Sequence, residues 1–157
     1  MGEEEEFGEE EKSTFKKWVE ETVYLQQIRI PRWITDVEEG RGEWTLHVFT
    51  DASIIAYRAV IYLRVQDESH VTLRLITAKA RISPVKRVTI PRLELMGCLV
   101  GASLYEAVKN CNGFKDIKAS FSTDLTIALT WIRRDDKWGT FVGNRVSEIT
   151  KLTERES

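Results

Sequence analysis

Three carboxylates in this 157-residue chain stand where chemistry is possible: Asp51, Glu94 and Asp124. Asp51 ends the apolar run "LHVFT", and Glu94 lies in the first turn of a strongly apolar helix, "RLELMGCLVGASLYEAVKN". Asp124 closes the short strand "IKASFST" and opens the helix "LTIALTWIRR". Each has an ordinary structural explanation. Asp51 suits a turn before Ala52 and Ser53, Glu94 suits a helix N-terminus, and Asp124 suits an N-cap. Together they suggest more. Ligand sites form at strand ends in such sheets. If the first and fourth strands are neighbours, Asp51 and Asp124 end side by side, and a helix packed across them brings Glu94 to the same spot. Three converging carboxylates repel unless a cation neutralises them. Oxygen donors without His or Cys point to a hard ion, Mg²⁺ or Mn²⁺. Such sites hold two ions about 3.5–4 Å apart and hydrolyse phosphodiesters.

The elements that must position these acids follow from periodicity. Trp44 to Thr50 reads as a buried strand. Ala56 to Val65 and Val71 to Ala80 read as a hairpin, joined by the polar turn "QDES". Arg58 interrupts the first of these two runs. After the loop "SPVKRVTIP", Pro91 stands where a helix starts, since its missing N–H needs no partner there. Gly97 and Gly101, one turn apart, give that helix a thin strip for close packing on a sheet. The short strand, the helix after Asp124 and a last amphipathic helix, "TFVGNRVSEITKLTE", complete the chain. A strand after a long helix joins the sheet by a right-handed crossover. The expected fold is α/β: a mixed sheet with strands 1–3 antiparallel, strand 4 parallel, and helices packed on it. Upstream, Ser13 to Gln27 reads as an amphipathic helix capped by Ser13 or Thr14, "IRIPRWI" as extended, and "TDVEEGRGE" as a loop.

Composition narrows the class. The length favours one modest core, and 42% hydrophobic with 31% charged residues is globular. No apolar run reaches a bilayer-spanning length, and the N-terminus lacks the basic and apolar regions of a secretory signal. An intracellular, cytoplasmic setting is expected, not a secreted or membrane one. Cys98 and Cys111 make no disulfide framework. His47 and His70, read as ordinary strand positions, are too few for a Cys/His zinc site. Net charge is −2, but the first 12 residues hold seven Glu and one Lys. That head, residues 1–12, reads as disordered, and the body behind it is mildly basic. The densest basic stretch, "KARISPVKRVTIPR", carries Lys79, Arg81, Lys86, Arg87 and Arg92 without an acid. It reads equally as a solvated loop or as part of a phosphate-binding surface.

The order of the acids separates the two-metal nucleases. A proofreading-type exonuclease needs an acid two residues after the first Asp, where this chain has Ser53. An integrase- or transposase-type core runs Asp, Asp, Glu. Asp, Glu, Asp on strand, helix, strand is the ribonuclease H order. The segments "LHVFTDASIIAYRAVIYL", "LITAKARISPVKRVTIPRLELMGCLVGASL", "FSTDLTIALTWIRR" and "WGTFVGNRVSEI" resemble the ribonuclease H domain of BEL/Pao-type LTR retrotransposon polyproteins (the Pao retrotransposon family). "FKKWVEETVYLQQIRIPRWI" resembles the segment joining the reverse transcriptase to that domain. The resemblance runs from about Phe15 onward. It implies residues 13–43 as a connector from the reverse-transcriptase side and 44–157 as a ribonuclease H-like domain.

The resemblance further implies hydrolysis of the RNA strand of an RNA–DNA hybrid during reverse transcription. Asp51 would bridge two ions, with Glu94 and Asp124 on the leaving-group ion. Lys79, Arg81, Lys86, Arg87 and Arg92 would contact phosphates, and Ser53 and Thr126 would bond the backbone or 2′-hydroxyls. The partners implied are the hybrid and the reverse transcriptase and integrase regions of the parent polyprotein, with virus-like particles one setting in the cytoplasm. Three departures from the family's pattern stand out. Arg58 stands where Gly is usual, and Leu125 where Ser is frequent. A fourth carboxylate, beyond one more strand, would fall after Ser157, so the domain is expected to be incomplete at its C-terminus. Glu148 is the only late acid on a well-formed helix, and it reads as solvated or capping. Weak or absent hydrolysis by this chain alone is therefore expected. The alternative is a non-catalytic remnant that binds nucleic acid or protein.

Overall fold

The computed structural model describes residues 8–29, 34, 42–111 and 113–153. The chain divides into two units, Met1–Trp33 and Ile34–Ser157. In the first, α1 spans Glu9–Glu21 and tightens into a 3₁₀ turn over Thr22–Gln27. The helix expected from Ser13 thus starts four residues earlier. The reason is local: Glu9, Glu10 and Glu11 occupy the positive end of the helix dipole, and the Glu11 carboxylate accepts the Gly8 N–H at 2.9 Å. Its apolar residues Phe15 and Trp18 are exposed, their rings 5.8 Å apart. The segment expected to be extended, "IPRWI", and the loop after it fall almost wholly outside the described residues.

The second unit is a four-stranded sheet in the order β3-β2-β1-β4. Its strands are β1 (Glu43–Ala52), β2 (Ala56–Gln66), β3 (Val71–Ile82) and β4 (Lys118–Thr123). The first three are antiparallel and β4 lies parallel to β1, as expected. Alternation sets the faces. Leu46, Val48, Ile61, Leu63 and Val65 are almost wholly buried on one face, against Tyr105 and Val108 of α2 (Ile90–Lys109). Burying each such side chain contributes about 1.5–3 kcal/mol. The far side of α2 packs through Leu95, Cys98 and Ala102 onto α3 (Thr126–Arg133) and α4 (Thr140–Leu152). The opposite sheet face presents Phe49, Leu73 and Leu75, all exposed.

Two local features place the candidate residues. Gly97 and Gly101 let α2 press onto β1: a Cβ on Gly101 would lie 2.8 Å from Thr50 Cγ2 and 3.2 Å from Val48 Cγ1. The second feature is a register shift in β3. Leu63 faces Arg74 and Tyr62 faces Leu75, but Ile61 faces Thr77, so Ile76 is an extra residue. Strand side chains alternate with period two, so one inserted residue exchanges the faces. Before the bulge the even-numbered residues face the helices. After it Lys79 and Arg81 do, opposite the buried Ala59 and Tyr57.

The β2–β3 turn corrects one reading. His70 lies in the turn rather than in a strand, because Asp67 Oδ1 accepts the N–H groups of Ser69 (2.8 Å) and His70 (2.7 Å). These bonds, the two largest causes, hold the Asp67 carboxyl below its ordinary range.

Candidate metal centre

β1 and β4 run in the same direction, paired from Thr45↔Lys118 to Thr50↔Thr123. Each therefore delivers the residue after its last pair to the same end of the sheet. Those residues are Asp51 and Asp124. α2 crosses this end with its glycine strip against Thr50 and the Asp51 carbonyl, which carries Glu94 into place. One oxygen from each of Asp51, Glu94 and Asp124 lies within 4.8 Å of the others. The three expected acids converge.

Their environments differ. Glu94 is 3% exposed. Because α2 begins at Ile90, it lies in the second turn, not the first, and no acid occupies the first turn. The helix dipole therefore does not explain it. Its Oε1 accepts the Ala52 N–H at 3.0 Å and its Oε2 the Thr123 hydroxyl at 3.5 Å. Burial pushes its carboxyl above the ordinary range; the Ala52 bond opposes this, and the charges of Asp124 and Asp51 add to it. Asp124 is exposed and does not cap α3, whose N-cap is Leu125 with no side-chain bond. Asp51 does not make the β1–β2 turn. Ser53 does, its hydroxyl accepting the Ile55 and Ala56 N–H groups at 3.4 and 3.2 Å.

Asp51 is engaged elsewhere. Arg58 is its cross-strand partner and donates Nε at 2.9 Å and Nη2 at 2.5 Å, both to Oδ2. The pair is open to solvent, with side chains 70% and 43% exposed for Arg58 and Asp51. In the sequence Arg58 is only a charged break in an apolar run. Register makes the contact: the Ser53 N–H donates to the Ala56 carbonyl at 2.7 Å and closes the hairpin so that positions 51 and 58 are opposite each other.

The donor set fits a hard divalent cation. It is all oxygen, it is held by three separate elements, and its most buried member is under repulsion that a cation would relieve. Cys98, one turn beyond Glu94, is no ligand here: its thiol is buried beside the Thr50 hydroxyl at 3.6 Å, and burial raises it further above neutrality.

The expected basic residues divide into three groups. Lys79 and Arg81 line a cleft of about 310 Å³ with Tyr57, Ser103, Arg145 and Glu148. Arg81 lies in register with Tyr57, the partner of Ala52, so it is two strands from the end of β1, roughly 10 Å across the sheet. Arg92 is exposed and lays its guanidinium over the Phe141 ring at 5.0 Å, next to Arg145 at 3.6 Å. Lys86 and Arg87 are exposed in the loop before α2, and Thr126 is exposed at the start of α3. No helix among the described residues is long and apolar enough to cross a membrane.

A mixed four-stranded sheet, helices on one face and acids converging at the strand ends make the architecture ribonuclease H-like. Residues 3–125 match the family model of the Pao retrotransposon-like RNaseH-like domain, and the chain belongs to that family. No curated protein gives a significant match. Among solved structures, the RNase H1 of the halophilic archaeon Halobacterium salinarum NRC-1 aligns with a TM-score of 0.43 and 9% identity, covering 71% of this chain and 76% of that one.

Proposed function

We propose that this chain is a retrotransposon-derived ribonuclease H-type module that hydrolyses the RNA strand of an RNA–DNA hybrid. In this reading Asp51, Glu94 and Asp124 would hold its divalent metal. The observation that carries it is the convergence of these carboxylates from three elements, one of them buried. Bound there, Mg²⁺ or Mn²⁺ would lower the pKa of an attacking water and stabilise charge on the leaving 3′ oxygen. The chain's own residues hold and orient. Glu94 is fixed by the Ala52 N–H, while Asp51 and Asp124 complete the donor set. Lys79 and Arg81 supply phosphate contacts at the same end of the sheet, with Lys86, Arg87 and Arg92 extending the track. Thr126 offers a hydroxyl to the backbone or a 2′-hydroxyl, and Ser53 keeps its place in the turn.

Residues 13–43 then serve as the connector and 44–157 as the nuclease domain. The reverse transcriptase and integrase regions of the parent polyprotein are its neighbours, in the cytoplasm. The test is a labelled hybrid incubated with Mg²⁺. Slow cleavage that stops with chelator and in Asp51→Asn is expected. Cleavage that persists in Asp51→Asn refutes the assignment. The Arg58–Asp51 pair favours a second reading, a non-catalytic domain that retains the hybrid. It predicts a mobility shift without product.

A further inference from the structure

The Asp51 carboxylate is divided between two duties. Both Arg58 donors converge on Oδ2, while no protein donor reaches Oδ1 among the described residues. A carboxylate shared by two ions commonly gives one oxygen to each, and an oxygen already committed to a cation is a poorer donor to a second. Here a guanidinium already covers one oxygen. Charge points the same way: three carboxylates and one guanidinium leave two negative charges, which a single divalent ion cancels. The guanidinium is held by register, opposite Asp51 across the hairpin, and not by packing, since its side chain is 70% exposed.

We propose that Arg58 is a tethered cation that stands in for one of the two ions, so that this chain holds a single divalent ion on the remaining oxygens of Asp51, Glu94 and Asp124. The inference rests on the metal-site reading above and deepens it. Arg58 is a positioning residue in this account: it sets how many ions the acids accept and touches no reacting atom. A guanidinium, unlike a bound ion, carries no water, so it neutralises Asp51 without supplying a nucleophile.

The test counts ions. Mn²⁺ is titrated into the full chain, free Mn²⁺ is followed by electron paramagnetic resonance, and folding is checked by circular dichroism. The wild type takes up one Mn²⁺. Arg58→Gln, an exposed change that removes the charge, takes up two, and its first ion binds on the order of five-fold tighter, as expected on losing a screened unit charge nearby. Arg58→Lys keeps the charge and stays at one. Two ions in the wild type, one ion in Arg58→Gln, or a Lys variant that behaves like the Gln variant overturns the role of Arg58 and leaves the metal site standing. No ion in either wild type or Arg58→Gln overturns the metal site, and the inference with it.

Discussion

Glu94→Gln is expected to stabilise the metal-free protein and abolish its response to metal. The side chain is almost completely buried, and an oxygen from each of two other acids lies within 4.8 Å of it. At that distance a pair of like charges costs about 3.5 kcal/mol at an effective dielectric of 20 and about 1 kcal/mol in water. Asp124 is exposed and Asp51 is offset by Arg58, so the relief lies towards the lower figure, about 1–2 kcal/mol in total. Glutamine keeps an acceptor for the Ala52 N–H. For a chain of this size that is a rise of roughly 2–8 °C in Tm at pH 7.

The pH dependence carries a definite sign. The folded-state pKa of Glu94 is raised, burial first, so below the ordinary glutamate range the group is neutral in both states and imposes no penalty. Stability is lost as pH rises through the raised value. The gap between variant and wild type should therefore close near pH 4 and widen as pH rises. Melting curves in chelator from pH 4 to 8, then with Mn²⁺, test both halves. At a hundred times Kd, metal should stabilise the wild type by about 2.7 kcal/mol and the variant hardly at all. A variant that melts below the wild type at pH 7 in chelator would show that the hydrogen bonds of Glu94, not its charge, dominate. An undiminished Mn²⁺ shift would remove it from the ligand set.

Other perturbations test the supports. Gly101→Val forces a Cβ to 2.8 Å from Thr50 Cγ2; a loss of about 1–3 kcal/mol in urea unfolding should come with a reduced Mn²⁺ shift, because α2 carries Glu94. Leu46→Ala, at a fully buried position, should cost about 2–5 kcal/mol by the same assay. Lys79→Glu with Arg81→Glu should weaken hybrid binding evenly across sequences and flatten its salt dependence in fluorescence anisotropy; an unchanged slope would take both residues off the phosphate track.

Much of the architecture was legible because the strands are short apolar runs bounded by turn residues, with Asp51 and Asp124 each at a strand end. Asp51 and Asp124 could be placed together from strand order, Glu94 from a helix packed across those strand ends, and the Gly97–Gly101 strip was visible as spacing. What could not be read depends on pairing. The Arg58–Asp51 contact is a property of hairpin register, and nothing in "AYRAVIYL" by itself gives Arg58 a partner. The face that Lys79 and Arg81 occupy depends on the bulge at Ile76, a backbone event with no distinctive residue. The support of Glu94 by the Ala52 N–H and Thr123 involves positions far apart in the chain. The early start of α1 was obscured by composition: a run of Glu reads as repulsive in bulk, yet three of them in a first turn favour the helix.

The parallel pairing of β1 with β4 also bears on how the molecule assembles. These strands cannot meet through a tight turn; β2, β3 and α2 all lie in the connection between them. Pairing of such remote segments is slow and comes at a high entropic cost. Asp51 and Asp124 sit beyond the last rung of that ladder, and Glu94 belongs to the helix that spans it. The acids are strangers in the unfolded chain and become neighbours only once the sheet is closed. An ion bound there has no foothold on earlier species. It acts as a latch on the finished fold rather than as a guide towards it, slowing escape from the native state more than it hastens arrival.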